Sequence, residues 1–229
     1  MPTVSAEFVA AMEGQQEDVL DLYAEAYDPQ YPTVCLDEKP VVLHAYTRPT
    51  QAATAGPQGH PERRDYEYVR QGTADLFVMV EPLAGWRHVA VTERRTRTEF
   101  AEQLRYLVED RYPDVEYVRL VVDTLNTHVP AALYETFPPE RARAILDRLE
   151  FHYTPKHGSW LNMAEIEISV FERGCLSRPV GDLPTLRHRV AALETERNAA
   201  QATIDWQFTS QVARTKLAKL YPDTKTKTD

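Results

Sequence analysis

The stretch YVRLVV, residues 117–122, is apolar at every position except Arg119. A strand with one wet face alternates apolar and polar residues, so a run without alternation belongs inside a sheet that is covered on both faces. It delivers Asp123 at its carboxyl end, and open α/β sheets bind ligands in the crevice outside the carboxyl ends of their strands. The chain must therefore supply helices to both faces. Its 229 residues, 43% of them hydrophobic, suffice for a core of that kind.

The rest of the chain reads around that strand. Residues 5–28 carry Phe8, Val9, Met12, Val19, Leu20 and Tyr23 at helical spacing among acidic residues, an amphipathic lead-in. Residues 34–36 and 41–43 form two short strand runs interrupted by Asp37, Glu38, Lys39 and Pro40, and 48–64 is a Pro-, Gly- and Gln-rich loop. Strand patterns at 66–69, 76–80 and 86–92 continue as an antiparallel meander with corners at Gly72 and 82–85. Thr96 and Glu99 spell a capping box for a helix that buries Phe100, Leu104, Leu107 and Val108 and ends before Pro113. Helices at 131–137 and 139–149 follow, the second with Leu149 facing inward, then a strand at 151–154. A turn through Pro155 and Gly158 leads to the helix bearing Glu165. Asp182 with Pro184 opens another helix, and a last one spans about 210–220. The succession β-β-β-α-β-α-β-α is the ribonuclease-H-like plan, a mixed five-stranded sheet flanked by helices. The expected division is a helical lead-in at 1–30, a catalytic domain at 31–178 and a helical C-terminal appendage at 179–229.

Several classes are disfavoured. No run of 18 apolar residues and no signal-like N-terminus is present. The two cysteines, Cys35 and Cys175, sit in separate apolar segments, which reads as buried free thiols in a reducing cytoplasm. A net charge of −9 has the wrong sign for coating nucleic acid by bulk electrostatics, so a DNA-binding role requires bound metal ions and local basic patches. Nothing positive supports a two-carboxylate glycosidase.

The carboxylates define the candidate chemistry. Asp37 and Glu38 are strand neighbours, so they point to opposite faces and only one of them enters a given site. Glu165, Glu167 and Glu172 share one helix. Glu167 lies about 200° round from Glu165, and Glu172 lies on the same polar stripe, Asn162–Glu165–Ser169–Glu172, but roughly 10 Å further along. Position alone leaves open whether Glu165 is a site residue or part of an ordinary solvated helix face. Three separated carboxylates brought together repel one another unless cations neutralise them, and oxygen-only ligation is what magnesium prefers.

Three segments, CLDEKP, VVDTLNTH and HYTPKHGSWLNMAEIE, resemble the signature segments of the mariner-like DDE transposases. The similarity is closest to a bacterial insertion-sequence branch, family six-thirty, and extends from about residue 31 to about residue 221. The resemblance implies a ribonuclease-H-like domain in which Asp37, Asp123 and Glu165 hold two magnesium or manganese ions. Glu165 is the match because it ends Leu-Asn-x-x-Glu, with 41 residues between it and Asp123. The implied reaction is hydrolysis at the terminal inverted repeats, followed by attack of the freed 3′-hydroxyl on target DNA at a TA dinucleotide, by a homodimer assembled on DNA. Asn126, His128 and Asn162 would then support the ligands or touch DNA. There are two departures. Thr124 stands where the family commonly has Asn, and no helix-turn-helix reader precedes Asp37, which implies a catalytic part with a truncated or separately encoded reader.

Outside the acidic triad, Lys156 and His157 in the turn are candidate phosphate contacts, as are Arg94, Arg95 and Arg97. His152 and His157 lack a nearby cysteine pair, which disfavours zinc. Trp160 reads as core. The competing readings are a ribonuclease-H-like nuclease that does not transpose and a non-catalytic DNA-binding remnant of an insertion element.

Overall fold

A computed structural model describes residues 6–48, 51–56, 59–63, 67–156 and 158–216. In chain order the elements are α1 (Ala6–Ala24), β1 (Thr33–Tyr46), β2 (Tyr68–Glu81), β3 (Trp86–Thr92), α2 (Arg97–Arg105), β4 (Val118–Val122), α3 (Ala131–Thr136), α4 (Pro139–Leu146), β5 (Leu149–Tyr153), α5 (Ala164–Cys175), α6 (Leu183–Ala199) and α7 (Ser210–Lys216). The five strands form one mixed sheet in the order β3-β2-β1-β4-β5. β1 is antiparallel to β2 and β2 to β3, whereas β4 runs parallel to both β1 and β5. This is a ribonuclease-H-like fold. β4 lies inside the sheet, as its unbroken apolar run requires.

Side-chain alternation sorts the core into two layers. On one face Val34, Leu36, Phe77, Met79, Leu120 and Val122 pack with Phe100 and Leu104 of α2, Leu133 of α3 and Ile145 of α4. On the other, Val41, Leu76 and Val78 meet Ile168 and Phe171 of α5 and Leu186 and Val190 of α6. Cys35, Val80 and Val121 on that same face meet Val19 and Leu20 of α1 and Ala164. The Thr96–Glu99 capping box forms, with Glu99 Oε2 accepting the Thr96 N–H at 3.0 Å, and Asp182 caps α6 by accepting the Thr185 N–H at 2.7 Å. α2 continues through a π-helical turn, Tyr106–Arg111, and stops before Pro113.

Three expected boundaries are corrected. The two runs around Asp37–Pro40 are one strand. β4 pairs with β1 only at Thr33–Cys35, and further along that same edge Leu36 C=O accepts from Asn162 and His44 N–H donates to Val180 O. By the two-residue repeat Pro40 faces this edge, where its missing N–H breaks no ladder. Gly72 is not a corner. At φ +123° it sits inside β2 at a bulge, where Leu43 pairs with Gly72 but His44 with Arg70, so Gln71 is the extra residue. Leu149 opens β5 instead of closing α4, which stops three residues earlier at Leu146.

Candidate active site

β4 and β1 are in parallel register at Cys35↔Val121. Two residues beyond that last pair on each strand stand Asp37 and Asp123, near enough for the Asp123 charge to act on Asp37. Both share the parity of Cys35 and Val121, hence the face covered by α5. Asn162 ties the start of α5 to this point: its Nδ2 donates to Leu36 O at 2.8 Å, and its Oδ1 accepts the Ala164 N–H at 3.1 Å. Further along, Glu172 forms an ion pair with Lys39. The helix is thus pinned along β1 at two levels, with Glu165 in its first turn on the Asp37 side and Glu172 two turns on.

The acids act on one another electrostatically. Burial pushes the Asp37 carboxyl up to about 7, and the charges of Glu165, Asp123 and Glu38 push in the same direction. The Glu38 N–H, donating to Asp37 Oδ1 at 2.8 Å, is the opposing influence. Asp37 Oδ2 is buried and, among the described residues, has no hydrogen-bond partner. Glu165 is exposed and, among the described residues, its carboxylate makes no ion pair. No three acidic, histidine or cysteine side chains among the described residues already stand close enough to enclose one ion.

Asp123 is held from the other side of the sheet. Its Oδ1 accepts the Leu125 N–H at 3.1 Å and the His128 Nδ1–H at 2.5 Å, while His128 Nε2 donates to Glu38 Oε1 at 2.5 Å. With a carboxylate at each nitrogen both positions carry protons and the ring is a cation. Burial opposes that charge, but the hydrogen bonds to Asp123 and Glu38 outweigh it and raise the imidazole pKa to about 9. His128 is fully buried, with the Phe100 ring 4.6 Å away. Divergence of Asp37 and Glu38 holds, yet Glu38 reaches the same carboxylate through His128. The sequence signal was a glutamate at a strand position whose neighbours of like parity, Leu36 and Val34, are core. Such a residue must find a buried cation.

The other expected site residues separate. Lys156 is exposed and lines a cleft with Asp123, Thr124, Asn126, Pro155 and Ser159. Asn126 and Thr124 are exposed, and the Asn126 carbonyl accepts from Arg97 Nε at 3.3 Å. His157 lies outside the described residues. Asn162 is fully buried, so it anchors the helix and does not touch DNA. Arg97 pairs with Glu135, Arg95 stands 4.0 Å from Asp75, and Arg94 is exposed. His152 is bound to Asp18 at 2.8 Å, tying β5 to α1. Trp160 is not core: it is 47% exposed and meets Phe208 edge-on. Cys35 and Cys175 are free and buried, and burial raises the Cys35 thiol to about 12. No helix among the described residues is long and apolar enough to cross a membrane.

Solved structures with a similar fold include the Mos1 mariner paired end complex with manganese, at 15% identity and a TM-score of 0.52, covering 88% of this chain and 60% of that chain. The Mos1 strand transfer complex matches at 14% identity and a TM-score of 0.54, covering 96% and 60%. The mariner Mos1 paired end complex with magnesium matches at 15% and 0.50, covering 88% and 58%. At these identities the likeness carries the fold, and the chain spans about 60% of the length of the first two. No curated protein matches the sequence. The sequence model of one family, described as DDE superfamily endonuclease, matches residues 32–187, and the chain belongs to that family.

Proposed function

We propose that this chain is the catalytic part of a mariner-like transposase of the bacterial insertion-sequence branch six-thirty. In this reading it cuts DNA at terminal inverted repeats and joins the freed 3′ end to a TA target. Asp37, Asp123 and Glu165 hold two magnesium or manganese ions. The partners are DNA, a second copy of the chain and a separately encoded helix-turn-helix portion, in the cytoplasm.

Asp37 is the observation that carries this reading. A buried carboxylate with an oxygen unpartnered among the described residues, raised to about 7 by burial and by three neighbouring carboxylates, gains most from a divalent cation, which relieves both burial and repulsion. The donors are all oxygen, the set suited to magnesium or manganese. Two such ions, when bound, activate the attacking oxygen and stabilise the leaving oxygen of an in-line phosphoryl displacement. The protein's own residues do the rest. The Glu38 N–H fixes Asp37, Leu125 and His128 fix Asp123, and Asn162 sets the helix that carries Glu165. Exposed Lys156 and Asn126 offer a phosphate a cation and an amide beside Asp123. They supply the local contact that a net charge of −9 denies the protein as a whole.

The test is nicking and joining of plasmid DNA carrying the inverted repeats, with magnesium or manganese. Cleavage is expected with either ion, lost on chelation and reduced about 100-fold or more by Asp123→Asn. Activity unchanged by that substitution would sink the ligand assignment. Cleavage without joining points to a nuclease that does not transpose, and DNA binding without cleavage to a remnant.

A further inference from the structure

Glu38 follows Asp37 in the strand but faces the opposite layer, where its parity neighbours are Val34 and Leu36 and its strand partner is Phe77. A carboxylate there is costly. Among the described residues its Oε2 has no hydrogen-bond partner, and its Oε1 is occupied by His128 alone. Buried ion pairs contribute little net stability compared with apolar residues of similar volume, so stability does not account for a glutamate at this position. Orientation does. An imidazole with an acceptor at only one nitrogen retains freedom to tilt or exchange nitrogens, whereas acceptors at both ends leave one orientation. The ring is also confined by Phe100, and its own backbone is tied by the His128 N–H to Leu125 O at 3.0 Å and by Tyr153 Oη donating to His128 O at 3.2 Å.

We propose that Glu38 is a positioning residue for the metal site, acting from the far side of the sheet through His128 to fix Asp123, so that Oδ1 is held back by the ring and Oδ2 is presented to the cation. This rests on Asp123 being a metal ligand, as argued above. With Oδ1 engaged by Leu125 N–H and His128, Oδ2 is the oxygen Asp123 would offer a bound cation. Partners that orient ligands in this way typically control metal affinity by 10- to 100-fold.

The experiment measures Mn2+ affinity of the full chain by calorimetry, and the imidazole N–H resonances of His128 by NMR in the absence of metal. Glu38→Ala, together with Glu38→Leu to refill the volume if the cavity unfolds the chain, is expected to weaken Mn2+ binding about 10- to 100-fold with a cooperative melt retained. Glu38→Gln, whose amide oxygen still accepts from Nε2, is expected to stay within about threefold of wild type. Both N–H resonances should be visible in wild type and Glu38→Gln, with the Nε2–H signal lost in Glu38→Leu. Tight wild-type binding that Glu38→Leu leaves intact overturns the positioning role alone, as do both resonances surviving in that variant. Glu38→Gln as damaging as Glu38→Leu overturns it too, since charge and not orientation would then be at work. A wild-type chain that shows both resonances and binds no Mn2+ refutes the metal reading, and the proposal falls with it.

Discussion

Glu165 and Glu167 lie two residues apart on α5 and belong to opposite electrostatic surroundings. Glu167 faces α6 and β3. Its Oε1 accepts from Arg87 Nε at 3.0 Å and Arg197 Nε at 2.5 Å, and its Oε2 from Arg197 Nη2 at 2.9 Å. Arg87 gives three of its other four donors to the carbonyls of Gly85, Arg197 and Ala202, and Asn198 closes the knot by bonding both the N–H and C=O of Arg87. Across the helix, Asp37 and Glu165 make no ion pair among the described residues, only Asp123 and Glu38 share the His128 ring, and Asp37 Oδ2 and Glu38 Oε2 are buried with no hydrogen-bond partner among those residues. A buried acid saturated by guanidinium donors is a structural joint, while a cluster short of positive charge is a place for a cation.

Mutation should separate the two regions. Glu167→Ala leaves Arg87 buried and unmatched, so it should cost about 3–5 kcal/mol in denaturant unfolding, equally with and without Mg2+. A loss that Mg2+ relieves would mean the knot is not independent of the cleft. Glu165→Gln should leave metal-free stability within about 0.5 kcal/mol, because the side chain is exposed. It should instead abolish Mg2+-induced stabilisation, about 2.7 kcal/mol at a hundredfold excess over Kd.

The cleft should also be sensitive to pH. The folded-state pKa of Asp37 is raised to about 7 from an ordinary value of 3.8, so the folded form holds this proton more tightly than the unfolded chain. Metal-free stability should therefore fall as pH rises from about 4 towards 7, and the loss should be complete above the folded pKa. Asp37→Asn should remove that slope and gain about 1–3 kcal/mol at pH 8 without metal, read from melts across the range. The smallest effect is expected at Thr124→Asn. Thr124 is exposed, so the substitution should leave stability within about 0.5 kcal/mol while raising Mn2+-dependent nicking by placing an amide beside Asp123. No change in nicking would mean that Thr124 does not limit the site.

Much of this contrast was legible from residue spacing. The unbroken apolar run of β4 put Asp123 at a strand end, and the helical angle alone separated Glu165 from Glu167. What spacing hid depended on partners distant in sequence. Pro40 reads as a strand breaker until the absence of β4 beyond Cys35 turns that stretch of β1 into an edge. Gly72 reads as a corner until pairing with Leu43 makes it a bulge. Asn162 fell on a polar stripe but is consumed by Leu36 O, and Trp160 had the composition of core yet sits on the surface against Phe208. Glu38 and His128 are 90 residues apart, and only folding brings them together behind Asp123.

The most direct measurement is anomalous scattering from a crystal soaked in Mn2+. Manganese peaks are expected bounded by Asp37, Asp123 and Glu165, with none at the Glu167 knot. Density at those three carboxylates showing no manganese, or manganese held only elsewhere, for example by His152 and Asp18, would contradict the metal assignment.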